Sequence, residues 1–171
     1  MGRSGRELVV VREASEVDTD AFAEFFKAAW RQSGPDAPGF AGATDEVIAD
    51  LTTRDAIRER IGGPDRRMFF AWEDDRVVGF AATKRIDIGT VELAGIIVLP
   101  TCAGRGVGTE LVREALRATK GESYRSMIVR TETTNDSARA FYEAQGFVLE
   151  RATIEHVDDI SVEVWELSHD L

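Results

Sequence analysis

The chain has 171 residues, which is enough for one domain with its own hydrophobic core but too few for two. Its formal net charge of −10 argues against nucleic acid as a partner, because binding to a phosphate backbone requires a surplus of Lys and Arg on one face. The single cysteine excludes an intramolecular disulfide and fits a reducing compartment, and with only two histidines it leaves no metal-ligand cluster.

Residues 1–6 are not followed by an apolar segment of the signal-peptide kind. No apolar run approaches the ~20 residues that cross a bilayer. We therefore expect a flexible terminus over 1–6, a single domain over 7–171, no membrane partner and a cytoplasmic location.

In the first half of the chain, residues 7–13 carry a run of β-formers that predicts a strand. Residues 18–32 place aromatic and Ala side chains at helical spacing, which predicts a helix whose aromatic stripe faces the core. The turn-rich residues 33–39 end that helix, and a second helix is predicted over 45–61, before Gly62-Gly63-Pro64.

In the second half, residues 68–82 predict a β-hairpin around a charged turn, and 90–99 predict the next strand. A glycine-rich loop then leads into an amphipathic helix. The remaining elements are a strand over 124–131, a helix over 136–145 and a closing strand pair over 147–157 and 160–167. Because hairpins and crossovers both occur in this order, we predict one α/β domain with a mixed sheet.

The loop Gly104-Arg105-Gly106-Val107-Gly108-Thr109 stands between a strand and a helix. Unpaired amides and the helix dipole make such a junction an anion site, and glycines let a phosphate approach the backbone. The dinucleotide fingerprint fails because Thr109 or Leu111 stands where its third glycine belongs, and a P-loop fails because Thr109 and Glu110 follow Gly108. A plain glycine-rich turn is the alternative.

The last predicted helix starts at Asn135, a favoured N-cap residue, and carries Tyr142 seven residues later. Seven residues turn a helix by about 700°, so the two side chains lie on one line along one face. Ala138 between them leaves that face uncluttered. The alternative is that Asn135 only caps the helix and Tyr142 only packs beside Phe141 and Phe147.

Together, the glycine loop and the segment from Asn135 to Phe147 resemble the GNAT superfamily of N-acetyltransferases, and the element order matches over about residues 7–168. The resemblance implies a single α/β (α+β) domain with a central mixed, mostly antiparallel sheet flanked by helices. It also implies acetyl-CoA as the acyl donor. The family's loop pattern falls on residues 103–108, where Gly106 and Gly108 match but Ala103 replaces the usual Gln or Arg.

The resemblance further implies which residues bind the cofactor. The backbone of the strand end would pair with the pantetheine arm, the loop would hold the phosphates with Arg105 as compensating charge, Asn135 would hydrogen-bond the cofactor and Tyr142 would point at its sulfur. The full set is Ile96, Ile97, Val98, Ala103, Gly104, Arg105, Gly106, Val107, Gly108, Thr109, Asn135, Ala138 and Tyr142.

Acetyl transfer to an amine requires a base for the protonated amine and an acid for the departing thiolate. We expect Glu92 to be the base, through a water, and Tyr142 to be the acid, while an amide near Ile97 or Val98 stabilises the carbonyl oxygen. A Glu92 paired with Lys or Arg at the surface is the alternative interpretation. His156 is a second candidate base, and Cys102 as an acyl-carrying nucleophile is disfavoured because the family transfers directly.

The acceptor site of the family lies between the first two helices and at the last strand pair, here residues 33–44 and 155–170. The second segment carries carboxylates but no Lys or Arg, which suits a cationic amine acceptor, small molecule or peptide, and equally suits a solvated strand edge. A non-catalytic acyl-CoA-binding or sensing module is the competing function, and a homodimer is possible by analogy with the family.

Overall fold

The computed structural model describes residues 9–34, 43–157 and 159–171. In these residues the strands are β1 (Val10–Glu13), β2 (Arg66–Glu73), β3 (Arg76–Arg85), β4 (Thr90–Val98), β5 (Ser126–Glu132), β6 (Val148–Val157) and β7 (Ile160–Asp170). The α-helices are α1 (Thr19–Ser33), α2 (Asp45–Leu51), α3 (Arg54–Ile61), α4 (Val107–Lys120) and α5 (Asp136–Ala144). None of these helices is long and apolar enough to span a membrane.

The strands form one sheet in the order β1-β2-β3-β4-β5-β7-β6. Every neighbouring pair is antiparallel except β4 and β5, which run parallel through the α4 crossover. The predicted fold class, a mixed and mostly antiparallel sheet flanked by helices, is confirmed.

Helices cover the sheet on two faces, and each face has its own core. On one face, α4 packs through Leu111, Val112 and Ala115 onto strand residues such as Phe69 and Met127. On the other face, the aromatic stripe of α1 packs onto β2 and β3, where the rings of Phe22 and Phe70 stack at 4.8 Å. Alternating strand residues face opposite sides, so the two cores share the same strands.

The prediction of one helix over residues 45–61 was wrong, because the chain breaks into α2 and α3. Thr52 donates its hydroxyl to the carbonyl of Ile48 at 2.8 Å, and Thr53 then leaves the helical conformation with ψ of 150°. The Thr53 hydroxyl accepts from the amide of Ala56 and caps α3. Threonine hydroxyls compete in this way with helix continuation, and two in succession end one helix and start the next.

The sheet opens between β4 and β5. Their pairing covers only Thr90–Glu92 against Ser126–Ile128, although both strands continue beyond it. Past Glu92, β4 keeps its partner on β3 but has a β-bulge, because Thr83 pairs with Leu93 and Ala82 with Gly95. The β5-facing backbone edge of β4 is therefore unpaired beyond Glu92, and the two strands form a fork.

Candidate functional site

The loop before α4 has the backbone form that its glycines predict. A 3-10 turn over Pro100–Cys102 leads into it, and Gly104 and Gly106 have φ angles of 73° and 83°. Gly106 is the N-cap of α4, so the amides of the first helical turn have no carbonyl partner within the helix. A Cβ at either glycine would have no atom within 4 Å, which leaves this backbone open to an anionic ligand.

An open cleft of about 490 Å³ lies against this loop. Its lining comes from the end of β4, the loop, the first turn of α4 and one ring of α5: Ile96, Val98, Cys102, Ala103, Gly104, Gly106, Val107, Gly108, Thr109 and Phe141. Most of the residues predicted to hold the cofactor phosphates thus share one surface.

Gly108 has a packing reason besides the predicted one. A Cβ at this position would lie 3.3 Å from Cζ of Phe141, which is closer than nine in ten real Cβ contacts. The missing side chain lets α5 approach the N-terminus of α4, and this approach brings Phe141 into the wall of the cleft.

Arg105 points away from that cleft. Its guanidinium donates to the buried carboxylate of Glu73 and lies 3.6 Å from the Sγ of Cys102. These three residues line another cavity, of about 750 Å³, between α1 and the β2–β3 turn, and Cys102 lines both this cavity and the cleft. In this arrangement the charge of Arg105 is neutralised by Glu73, and the side chain ties the loop to the end of β2.

A second cavity, of about 370 Å³, lies in the fork between β4 and β5. Its lining residues come from β4, β5, α5 and two rings of the aromatic core: Ala94, Gly95, Ile96, Ile97, Thr131, Asn135, Ala138, Tyr142, Phe26 and Phe80. Ile96 lines both this cavity and the cleft beside the glycine loop, so the two adjoin along β4.

Asn135 and Tyr142 have the capping and packing contacts of the alternative interpretation, and both also line the fork cavity. The Oδ1 of Asn135 accepts from the amide of Ala138 at 3.1 Å and caps α5, and the residue also lines the fork. The ring of Tyr142 packs edge-on against Phe141 and Phe147, and it too lines the fork. Burial raises the pKa of Tyr142 to about 12, so its phenol is protonated and can donate at neutral pH.

Glu92 lies at the base of the fork but is not among the residues that line the cavity; Ala94, two positions later, is. Its Oε1 accepts from Nη1 of Arg130 at 3.1 Å, so the ion pair expected from the alternative interpretation is present. Arg130 also meets Glu166 at 3.0 Å and Glu155 at 3.4 Å. These carboxylates stand on β4, β7 and β6.

His156 lies away from the fork. It is exposed near the β6–β7 turn, where its Nδ1 is 2.9 Å from Oγ of Ser161, and it lines neither the cleft nor the fork cavity. Residues 35–42, including Phe40, and Asp158 of the predicted acceptor region fall outside the described residues.

Several residues of the site were not predicted from the sequence. Phe26 belongs to the helix stripe predicted to face the core, and Phe80 lies in the predicted hairpin. Both are core residues, but their rings also line the fork cavity. Thr131 and Arg130 belong to no sequence motif. They are part of the site because their strand pairs with β7 on one side and borders the fork on the other. A polar pair at the end of a predicted interior strand is the one signal that could have indicated them.

Comparisons with known proteins agree with this geometry. Residues 20–147 match the family model described as the acetyltransferase (GNAT) family. An acetyltransferase of the GNAT family from Streptococcus pneumoniae has a TM-score of 0.71 at 15% identity, covering 96% of this chain and 100% of that one. PaiA N-acetyltransferase from Thermoplasma acidophilum, solved in complex with coenzyme A, has a TM-score of 0.66 at 19% identity over 93% of this chain and 98% of that one.

A mycothiol acetyltransferase from Corynebacterium efficiens is 35% identical over 82 residues, which cover 48% of this chain and 28% of that protein. The chain spans between 28% and 55% of the length of the curated relatives it matches. The solved structures show the fold, and the family model covers the glycine loop, the fork and most of the domain. The chain belongs to the acetyltransferase (GNAT) family.

Proposed function

We propose that this domain transfers an acetyl group from acetyl-CoA directly to a primary amine. The observation that carries the proposal is a groove along β4 made of two cavities that share Ile96. One cavity lies beside the loop whose backbone amides are open to an anion, and the other is lined by the buried Tyr142. A donor with a phosphate-bearing end and a distant reactive thioester matches a groove of that design.

The residues present fit coenzyme A along its length. The open amides of the loop before α4 suit a pyrophosphate, and they need no side chain at Ala103 to do so. The unpaired edge of β4 from Ile96 to Val98 offers peptide groups to an extended amide-bearing arm. Asn135 and Ala138 form the opposite wall of the fork. When bound, acetyl-CoA supplies the activated acyl group.

Tyr142 is proposed as the general acid. Its pKa of about 12 keeps the hydroxyl protonated through the physiological range, and its burial in the fork removes water that would compete for the same proton. A buried phenol donor beside the reacting end can protonate a departing thiolate. The backbone of Ile97 or Val98 is proposed to stabilise the carbonyl oxygen as it gains charge.

Glu92 is proposed as the base that receives the proton of the amine. Its carboxylate stands at the closed end of the fork, on the strand that lines the cavity from Ala94 onward. Since Glu92 does not line the cavity, we propose that a water carries the proton from the amine to it.

The acceptor is proposed to be a small-molecule or peptide amine with cationic character. The segment from 155 to 170 carries carboxylates and no Lys or Arg. Arg130 pairs with Glu155 and Glu166, but the remaining carboxylates keep the segment negative, so its charge attracts an ammonium group. The curated relatives are named mycothiol acetyltransferase and N-alpha-acetyltransferase 30, names that cover both kinds of acceptor. Homodimerisation and a cytoplasmic location remain predictions.

Calorimetric titration with acetyl-CoA, followed by a thiol-release assay against a panel of amines, tests the proposal. We expect binding together with thiol release that depends on an amine. Binding without release for any amine would favour the acyl-CoA-sensing module instead. Absence of binding would overturn both functions.

A further inference from the structure

Arg130 lies just beyond the point where β5 stops pairing with β4. It stands on β5 two residues beyond Ile128, which is the last β5 residue to pair with β4. Its side chain therefore emerges where the backbone ladder between these two strands has just ended. Beyond this point only side chains can connect the two walls of the fork.

The guanidinium makes that connection. It donates to Glu92 of β4 at 3.1 Å and to Glu166 of β7 at 3.0 Å, and it lies 3.4 Å from Glu155 of β6. Among the described residues this is the only ion pair or side-chain hydrogen bond that joins β4 to β5. The side chains of Arg130, Glu92 and Glu166 are 26%, 16% and 10% exposed, so solvent screens these contacts less than it screens a surface pair.

Two features set this arrangement apart from an ordinary surface pair. The planar guanidinium presents several donors in fixed directions, which lets one side chain hold carboxylates from different strands. Burial acts to lower the pKa of Arg130, but Glu92, Glu166 and Glu155 together raise it, so the guanidinium stays charged.

We propose that Arg130 is a positioning residue, which fixes the carboxylate of Glu92 at the base of the fork and holds the β5 wall at its working distance from β4. The inference rests on the proposed function, because it assigns Arg130 a role through Glu92. It adds that the base is held by its partner on β5 and is not free to rotate toward solvent. The position of the catalytic carboxylate then depends on a residue that touches neither substrate.

Arg151 provides the matched control. It lies on β6, and its Nη2 is 3.0 Å from Glu166, so it belongs to the same charge cluster. It has no bond to Glu92, and its side chain is 65% exposed. Removing it takes the same charge from the same neighbourhood while leaving the contact across the fork in place.

The test compares Arg130→Met, Arg130→Lys and Arg151→Met in the thiol-release assay, each with and without Glu92→Gln. For Arg130→Met we expect kcat to fall by about tenfold or more, in the range of misplaced acid–base groups, while KM for acetyl-CoA stays within about twofold. Arg130→Lys should fall between it and the wild type, because one ammonium cannot hold two carboxylates in fixed directions. Arg151→Met should match the wild type.

The double variants decide whether Arg130 acts through Glu92. In the Glu92→Gln background, we expect the Arg130 substitutions to add less than about twofold to the loss in kcat. If Arg130→Met fails to fold by circular dichroism because its buried carboxylates are left unpaired, Arg130→Lys carries the same comparison.

Additive losses in the two backgrounds would overturn the inference while leaving the transferase in place. An equal loss in Arg151→Met, or full turnover in Glu92→Gln alongside a loss in Arg130→Lys, would also overturn it. A wild-type protein that binds acetyl-CoA but releases no thiol would instead remove the proposed function and, with it, this role for Arg130.

Discussion

The two ends of the groove along β4 are built from different kinds of group. At the loop before α4, consecutive residues present backbone amides, and the conformation of Gly104 and Gly106 decides the shape. At the fork, side chains from β4, β5, β6, β7 and α5 converge from distant parts of the chain. The donor end should therefore be sensitive to backbone conformation, and the reacting end to the chemistry of single side chains.

Gly106→Val should produce the largest effect, because it tests the backbone end directly. A β-branched residue is strained at a φ of 83°, and relieving the strain turns the amides away from the phosphates. We expect affinity for acetyl-CoA, measured by calorimetry, to fall by about a hundredfold.

Gly121→Ala at the other end of α4 is the control, since its φ of −80° suits any residue and its Cβ would meet nothing within 4 Å. It should bind acetyl-CoA like the wild type. A folded Gly106→Val protein with unchanged affinity would show that the loop is not the phosphate site.

Tyr142→Phe tests the side-chain end and should produce the next largest effect. The ring packing on Phe141 and Phe147 survives, so only the donor hydroxyl is lost. We expect kcat to fall by about 10²-fold with acetyl-CoA affinity nearly unchanged.

The pH dependence of kcat tests the same assignment from another direction. Since burial raises the pKa of Tyr142 to about 12, we expect kcat to show no basic limb from its deprotonation near the ordinary Tyr pKa of about 10. A parallel loss of affinity and turnover in Tyr142→Phe would assign this residue to packing or binding.

Arg105→Ala and Glu73→Gln test whether side chains contribute to acetyl-CoA affinity at the loop before α4. Because Arg105 ties the loop to the carboxylate of Glu73, both substitutions loosen the same tether, and we expect each to weaken acetyl-CoA binding by about three- to tenfold. The direction in which Glu73→Gln changes acetyl-CoA affinity, measured by calorimetry, distinguishes this tether from a direct contact between Arg105 and the phosphates. If Arg105 served the phosphates, Glu73→Gln would release it and tighten binding.

Cys102→Ser should have the smallest effect. The thiol is buried beside Arg105 and belongs to the loop's scaffold, so direct transfer does not need it. We expect kcat in the thiol-release assay to stay within about twofold of the wild type. Loss of turnover with normal acetyl-CoA affinity would restore a covalent role for this residue.

The same contrast explains what the sequence could predict. The loop and its helix are local, so glycine spacing and the strand-to-helix change suffice to locate them, and the α5 segment is likewise contiguous. The break at Thr52 and Thr53 is local too. It depends on hydrogen bonds between two hydroxyls and the backbone, although the helical pattern of apolar residues continues on both sides of the break.

The cluster around Arg130 could not be predicted in this way. Glu92 lies 38 residues before Arg130 and Glu166 lies 36 residues after it. They meet only because β7 inserts between β5 and β6 and because the pairing of β4 and β5 stops at Glu92. The orientation of Arg105 toward Glu73 depends in the same way on a contact between the loop before α4 and the distant end of β2.

The extra residue at Ala94 changes the phase of β4. Before it, Val91 and Leu93 face the α4 core; after it, Ile96 and Val98 face that same core, so the inward positions switch from odd to even numbers. An unbroken alternation would force a choice, with either Glu92 buried under α4 or Ile96 and Val98 turned out of the α4 core. With one inserted residue, β4 keeps Glu92 on the face away from α4 near its start and still places Ile96 and Val98 against the α4 core near its end. Deleting Ala94 would restore the regular alternation and leave Glu92 on the opposite face of the strand from the residues now numbered 96 and 98, so neither group would leave its present environment.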